Sequence, residues 1–200
     1  MKKSLLSLLF CISLAVGTYG ATLILDQQAL ENNLVRLHVV ANSDEKTDQA
    51  IKLKVRDAVL RSMESDLKKV ADPEQAKRYL KENLPKIEKA ANETLYRLGC
   101  RERAAVTLCR EAFEKRIYDT FSLPAGIYES LRVTIGEGKG HNWWCVAYPT
   151  LCIPAASREV EAVAADAGLS EPLRGAMTGR YQVRFYLLDL LGRLKTRKTS

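Results

Sequence analysis

The chain has 200 residues, 31 of them Lys or Arg and 24 Asp or Glu, and a formal net charge of +7. With 46% hydrophobic residues, it can form one compact domain with a sizeable core. No basic helix interleaved with aromatic residues is evident, so we expect no nucleic-acid partner.

The first 20 residues have the composition of a secretory signal peptide. Lys2 and Lys3 form a basic start, and an apolar run follows from Leu5 to Val16. Thr18 and Gly20 fit cleavage after residue 20, and the run is short for a membrane-spanning helix. A retained N-terminal anchor is the alternative. We expect an exported chain with a signal peptide over 1–20, a linker over 21–33, an α+β domain over 34–191 and a basic tail over 192–200.

A strand and a helix are predicted at the start of the domain. Leu34–Val40 is apolar on both faces and rich in β-branched residues, as in a buried strand. Ser43 or Asp44 is suited to cap the following helix. Apolar residues then recur at helical spacing over 51–67, which predicts a helix with one buried face.

A second helical stretch begins at Asp72, with Pro73 at its first position. Pro85 breaks or kinks this helix, and Gly99 is suited to end it. Its charged residues are typical of a solvated face.

Strand patterns dominate from residue 104 onward. The predicted strands are 105–109, 113–118, 127–135, 144–148 and 181–187. Residues 153–180 show no firm period beyond a short helix near 160–167, and a last helical turn is predicted over 188–194. This order predicts a single α+β domain in which two N-terminal helices pack on a mostly antiparallel sheet.

Four cysteines remain once Cys11 leaves with the signal peptide: Cys100, Cys109, Cys145 and Cys152. An even count in an exported protein indicates disulfides, with three possible pairings. We expect Cys145–Cys152 and Cys100–Cys109, because each pair is close in sequence and lies beside turn or strand signals. A zinc site is the alternative, but gaps of six and eight residues do not match its usual C-x2-C spacing.

The segment from Gly136 to Cys152 has an unusual composition, with three alternating glycines ahead of two adjacent tryptophans. Alternating glycines permit close approaches that a Cβ would prevent. In an extended backbone the tryptophans would point to opposite faces, although both could also be buried for packing. We expect a partner to contact the surface formed by Gly136, Gly138, Lys139, Gly140, Asn142, Trp143 and Trp144.

The same segment fits a catalytic site less well than it fits a partner-binding surface. The glycine run lacks the spacing and the Ser or Thr of a P-loop, and the Rossmann pattern also fails. Cys145 with His141 or His38 would act as a nucleophile only if the thiol were reduced, and export favours a disulfide.

Two pairs of carboxylates are the remaining candidates for an acid–base catalytic site. Asp44 and Asp48 have helical spacing beside a cap, where acidic residues favour the helix dipole. Neither this pair nor Glu129 with Glu137 gives an acid–base site. We expect no catalytic residue, no metal site and no cofactor.

Two blocks of sequence resemble the stage II sporulation protein R family. The first comprises Leu37–Asp44, Asp48–Ala50 and Lys52–Asp57. The second comprises Leu123–Tyr128, Leu131–Val133, Ile135–Gly140, Asn142–Val146, Pro149 and Leu151–Cys152. The resemblance covers residues 34–152, and Phe185–Leu188 is similar to the family's final strand.

The resemblance implies a non-catalytic signalling protein of endospore-forming bacteria. Such a protein is exported from the forespore into the space between the two sporulation membranes. There it activates a membrane-embedded aspartic protease of the mother cell, which removes the pro-sequence of the sigma-E precursor.

The chain departs from the family pattern at several positions. Thr150 and Glu114 stand where the pattern has proline, and Cys100 and Cys109 lie outside the common motif. A secreted cell-envelope hydrolase and a polyanion-binding module are the alternative functions. We expect at most weak membrane-surface contact, through the basic tail.

Overall fold

The computed structural model describes residues 2–70, 72–152 and 157–197. Its helices are α1 (Lys2–Asn33), α2 (Lys46–Leu67), α3 (Pro73–Glu82), α4 (Leu84–Arg97), α5 (Ser157–Asp166), α6 (Glu171–Met177) and α7 (Gln182–Thr196). Its strands are β1 (Val35–Val40), β2 (Ala104–Phe113), β3 (Arg116–Ile117), β4 (Ser122–Leu123), β5 (Gly126–Ile135) and β6 (Asn142–Tyr148).

The main sheet has four strands in the order β2-β5-β1-β6, and β3 pairs with β4 in a separate ribbon. β1 runs parallel to β5, whereas the β1–β6 and β2–β5 pairs are antiparallel. The predicted α+β class is confirmed, but the sheet is mixed because its central pair is parallel.

Helices cover both faces of this sheet, which corrects the prediction of two N-terminal helices on one face. On the first face, α2, α3 and α4 pack on Leu37, Val39 and Leu131. On the second face, α1, α5, α6 and α7 pack around Tyr128 and Val146. β1 is buried along its whole length because it lies between these two cores.

Two helices of the first layer, α3 and α4, begin where the sequence predicts. The Asp72 carboxylate accepts a hydrogen bond from the amide of Glu74 at 3.1 Å and caps α3. Pro85 lies in the first turn of α4, where its missing N–H costs nothing, and so divides the stretch into two helices. The cap predicted for α2 differs: Glu45 is its N-cap residue, and Ser43 accepts a hydrogen bond from the Glu45 amide.

α4 also protects the outer edge of β2. The side chain of Asn92 donates to the carbonyl oxygen of Ala104 at 2.9 Å and accepts from the Ala104 amide at 3.0 Å. The Glu88 carboxylate accepts from the Val106 amide at 3.0 Å. These side chains take the place of a further strand, which limits edge-to-edge association there.

α1 does not end at the predicted cleavage site, and residues 21–33 are helical where the sequence suggested a linker. Leu30 is fully buried, and Gln27 donates to the carbonyl oxygen of Ala125 at 3.0 Å. α1 is the one helix in the described part of the chain that is long and apolar enough to cross a membrane. The segment after residue 20 therefore belongs to the folded domain, and cleavage itself stays a prediction.

α7 replaces the strand predicted over 181–187, so the final strand expected at Phe185–Leu188 from the family resemblance is also wrong. α7 turns Phe185, Leu188, Leu191 and Gly192 toward the second core at helical spacing, and Leu187 also packs against that core. The short run Tyr181–Leu187 also alternates between apolar and polar residues, and that alternation favoured a strand.

Residues 192–196, which the sequence assigned to a basic tail, form the last turns of α7. A Cβ at Gly192 would collide with the carbonyl group of Ala125, so the glycine lets the helix backbone touch the turn before β5. The Asp189 carboxylate accepts from the Ala125 amide at 3.0 Å. Residues 198–200 of the predicted tail lie outside the described residues.

The structure contains one of the two predicted disulfides. Cys145 in β6 is bonded to Cys152, with their Cα atoms 5.4 Å apart. Cys100 and Cys109 are free thiols, so their predicted pairing is wrong. Cys100 ends the turn after α4, whereas Cys109 lies within β2 and donates to a Glu111 oxygen at 3.2 Å. Proximity in sequence does not bring these two side chains together.

Replacing both Cys145 and Cys152 with Ala is expected to lower the free energy of unfolding by about 2.5 kcal/mol, the entropic effect of opening a short loop. Chemical denaturation measures this loss. The double Ser variant of Cys100 and Cys109 is the control, and it should keep the cross-link and lose less than about 1 kcal/mol. In the wild-type chain without residues 1–20, alkylation after denaturation but without reduction should label Cys100 and Cys109. If neither cysteine is labelled, they are not free thiols and the single disulfide is wrong.

Substituting Gly192→Ala is expected to destabilise the protein by about 2 kcal/mol, because the new Cβ would press on the Ala125 carbonyl. In a solvated tail the same change would be neutral or would favour helix by up to about 1 kcal/mol. The sign of the change in the denaturation midpoint separates the two cases, and a rise would contradict the packing of α7.

Candidate partner-binding site

The glycine-rich loop over 136–141 passes across the carboxyl end of β1, because β1 lies between the two strands that the loop connects. The backbone of the loop is hydrogen-bonded to the turn over 41–44. The amide of Lys139 donates to the carbonyl oxygen of Asn42, and the amide of Gly140 donates to that of Ala41, both at 3.0 Å. The two blocks of sequence identified above therefore meet at this point.

Side chains of the turn strengthen the contact. The Asn42 side-chain oxygen accepts from the Glu137 amide at 3.0 Å, and an Asp44 oxygen accepts from the His141 amide at 2.6 Å. The His141 ring bonds the same carboxylate. Hydrogen bonds from the ring and the amide of His141 hold the pKa of Asp44 below its ordinary value. Lys52, on α2, donates to the His141 carbonyl oxygen at 2.8 Å.

The glycines predicted to contact a partner have a structural role in this loop. Gly136 and Gly138 have φ angles of +55° and +63°, which other residues rarely adopt. A Cβ at Gly140 would collide with the Ser43 carbonyl group. Tight apposition of the loop and turn explains the alternating glycines, and Lys139 presents an exposed side chain beside Glu137.

The tryptophans lie on opposite faces of β6, as the extended backbone predicts. Trp143 faces the α2 side, where the Arg56 guanidinium lies 4.3 Å from the ring centroid. Trp144 faces the other side, stacked on His38 at 5.6 Å between centroids and covered by Arg116 at 3.7 Å. Trp143 is 36% exposed and Trp144 is partly buried, so neither is a fully buried core residue.

β6 is a terminal strand of the main sheet within the described chain. Asn142, at its start, pairs with Val40 at the end of β1. The predicted partner-binding residues therefore form a surface that wraps around the edge of the sheet, from the loop to the first residues of β6, with the two tryptophans on opposite faces. We call this surface the loop–tryptophan surface, and it comprises Gly136, Gly138, Lys139, Gly140, Asn142, Trp143 and Trp144.

A polar cluster lies beneath Trp144. The His38 ring bonds a Glu111 oxygen at 2.8 Å, and the Cys109 thiol donates to the other oxygen of the same carboxylate. Burial and the bond to Glu111 raise the pKa of Cys109 to about 11. Burial raises the pKa of Glu111, but hydrogen bonds from His38 and Cys109 lower it by more, so the carboxylate stays ionised.

This arrangement keeps the thiol protonated at neutral pH, which is the opposite of what a cysteine nucleophile needs. Cys145, the other candidate thiol, is in a disulfide. The described ranges contain no group of three or more His, Cys, Asp or Glu side chains placed to hold a metal ion.

Arg36 is a buried cation that the sequence reasoning missed. Its Nε donates to the Cys145 carbonyl oxygen at 3.1 Å, and one terminal nitrogen donates to the Tyr118 hydroxyl at 2.8 Å. The Phe113 ring lies 4.4 Å away and supplies a cation–π contact. The signal available was a single arginine inside a strand that is apolar on both faces. Arg36 ties the β3–β4 ribbon and β6 to the centre of the sheet.

Asp48 supports the turn from the first helical layer. One of its oxygens accepts from the Ser43 hydroxyl at 2.7 Å and from the Asn42 side chain at 2.9 Å, and these bonds hold its pKa below the ordinary value. A carboxylate with a lowered folded-state pKa stabilises the fold above its unfolded pKa. That contribution is lost as the pH falls through the folded pKa.

Asp48→Asn is therefore expected to lower the free energy of unfolding by about 1 kcal/mol at neutral pH. The difference from the wild type should shrink below about pH 4, where the wild-type carboxylate also becomes protonated. Urea denaturation between neutral pH and pH 3 measures this. Asp119→Asn, in the exposed loop between β3 and β4, is the control. A difference that persists unchanged at low pH would contradict the role of the charge.

Comparisons with known proteins agree with the two blocks of sequence. A sequence profile of the family described as Stage II sporulation protein R (spore_II_R) matches residues 31–158. Stage II sporulation protein R of Bacillus subtilis (strain 168) is 36% identical over 123 residues. That alignment covers 62% of this chain and 55% of the relative, so this chain spans just over half of the relative's length. No solved structure matches.

The matched range includes the turn over 41–44, the glycine-rich loop and all of β6. It also includes β1, β2 and β5, and thus every strand of the main sheet. The chain belongs to the stage II sporulation protein R family.

Proposed function

We propose that this protein is an exported sporulation signal that activates a membrane-embedded aspartic protease of the mother cell. The protease then removes the pro-sequence of the sigma-E precursor. The chain acts by binding and carries out no chemistry itself. We place it in the space between the forespore and mother-cell membranes.

The observation that carries the proposal is the meeting of the two family blocks in one surface. The turn over 41–44 and the loop over 136–141 are bonded through backbone and side chains, and β6 follows directly. Packing alone would not require two adjacent tryptophans at a strand end where both keep contact with solvent. Partly exposed tryptophan and arginine are the residue types that most often dominate binding energy at protein interfaces.

Two features support export. The apolar first half of α1 is exposed and has the length and position of a signal sequence. The Cys145–Cys152 disulfide fits an oxidising compartment.

The thiol chemistry of the domain supports a role without catalysis. The raised pKa of Cys109 and the cross-link at Cys145 leave neither as a ready nucleophile. His141 is largely exposed and bonds Asp44 within the loop–turn contact, not a cysteine.

The experiment is co-expression of the chain with the cognate protease and the sigma-factor precursor in a non-sporulating host. We expect precursor cleavage that requires this chain and its residues 1–20. If all partners are folded and correctly located and no cleavage occurs, the proposed function is wrong.

In the same host, Trp143→Ala and Trp144→Ala are each expected to reduce precursor cleavage by about tenfold or more, the usual effect of removing a central aromatic contact. Immunoblotting of precursor and product measures cleavage. Tyr96→Ala is the matched control, since this aromatic residue lies on α4 and is 85% exposed. The loss of cleavage counts only if every variant is exported and soluble in the same amount as the wild type. Undiminished cleavage by both tryptophan variants would contradict the assigned surface.

A further inference from the structure

A cleft runs from the C-terminal end of α7 to Trp144. Its wider part has a volume of about 680 Å³ between the end of β2 and the last turn of α7. A narrower part of about 260 Å³ continues to Arg116 and Trp144. The two parts share Ala112, Phe113 and Glu114, so they form one continuous groove.

The walls of this groove are strongly basic. Its charged lining residues are Lys115, Arg116, Arg193, Arg197 and Glu114. Arg193 is paired with Asp189 at 2.7 Å. Within the ranges that the structure covers, Lys115, Arg116 and Arg197 have no carboxylate partner. Three cations without an ion-pair partner thus face one groove that holds a single carboxylate, Glu114, whereas most other cations of the second face are paired, as Arg184 is with Asp26.

The floor of the groove is apolar and fixed. Phe113 and Ala125 are 4% and 2% exposed, and Phe113 also packs against the buried Arg36. The α7 wall is held by the backbone contact at Gly192 and by the bond from the Ala125 amide to Asp189. A rigid apolar floor between basic walls is suited to a chain that presents apolar and acidic side chains together.

We propose that this groove binds an acidic, extended segment of the protein partner, with carboxylates against Lys115, Arg116 and Arg197 and apolar side chains over Phe113. The inference rests on the proposed function, since the groove ends at Trp144 and so extends the loop–tryptophan surface. It names the chemistry of the partner segment that this surface recognises.

The concave shape favours a polypeptide over a lipid surface. Phe113 lies at the bottom of a cleft whose walls come from two different elements, β2 with its following loop and α7. A flat bilayer would meet the rims and leave this floor empty. An extended segment can reach both the floor and the cations.

The test uses a short fluorescein-labelled peptide that alternates Glu with Leu, and the same peptide with Gln in place of Glu. The groove variant combines Lys115→Glu, Arg116→Glu and Arg197→Glu. The matched control makes the same change of charge on exposed cations of the first helical layer, with Lys54→Glu, Arg61→Glu and Lys69→Glu. Fluorescence anisotropy measures binding to the full chain, and denaturation verifies folding.

We expect the Glu peptide to bind the wild type and the control, with affinity that falls as salt screens the charges. The groove variant should bind at least about tenfold more weakly. The Gln peptide should bind weakly to all three proteins. Equal affinity of the groove variant and the control for the Glu peptide would overturn the proposal. So would groove-dependent binding to vesicles containing phosphatidylglycerol without any binding of the peptide.

Precursor cleavage separates this proposal from the proposed function. A wild type that triggers cleavage, together with a groove variant that triggers it equally well, overturns the groove and leaves the function intact. A wild type that fails to trigger cleavage overturns the function. Groove-dependent binding of the Glu peptide would in that case still support an acidic-segment site.

Discussion

The structure depends on the close contact between the glycine-rich loop and the turn that ends β1. Two backbone hydrogen bonds and two side-chain acceptors, Asn42 and Asp44, hold the loop there. Gly140 admits the Ser43 carbonyl where any Cβ would collide. This contact lets the chain cross from β5 over β1 and enter β6 in register. It thereby fixes which face each tryptophan takes and joins the two family blocks in one surface.

A second constraint holds the other half of the molecule. Gly192 and Asp189 bring α7 against the backbone of Ala125, and α1 packs beside α7 through its Asp26–Arg184 pair. Buried Arg36 links β1, β6 and the β3–β4 ribbon across the same face. Because the groove lies between α7 and the end of β2, its shape follows from these contacts. Trp144 thus joins the groove to the loop–tryptophan surface, whose other tryptophan, Trp143, lies on the opposite face of β6.

Local patterns in the sequence predicted local structure well and long-range pairing poorly. Apolar residues on both faces predicted β1. Asp72 predicted the start of α3, and Pro85 predicted the break at which α4 starts, because those signals act within a few residues. The parallel β1–β5 pair and the position of α7 depend on contacts far apart in sequence, such as Gly192 on Ala125. Cys100 and Cys109 were paired by proximity, which carries no information on side-chain direction. The tryptophans were correctly placed on opposite faces, whereas the role of the glycines in the fold was missed because it depends on contact with the distant turn over 41–44.

Site-specific photocrosslinking would show whether this chain binds the protease through the loop–tryptophan surface. A photoreactive amino acid replaces exposed Lys139 in the loop, or exposed Lys81 on α3 as the control, in cells that also contain the protease and the precursor. We expect a covalent adduct with the protease from position 139 and none from position 81. An adduct from position 81 alone, or none from either position while the precursor is cleaved, would show that the protease does not contact this surface.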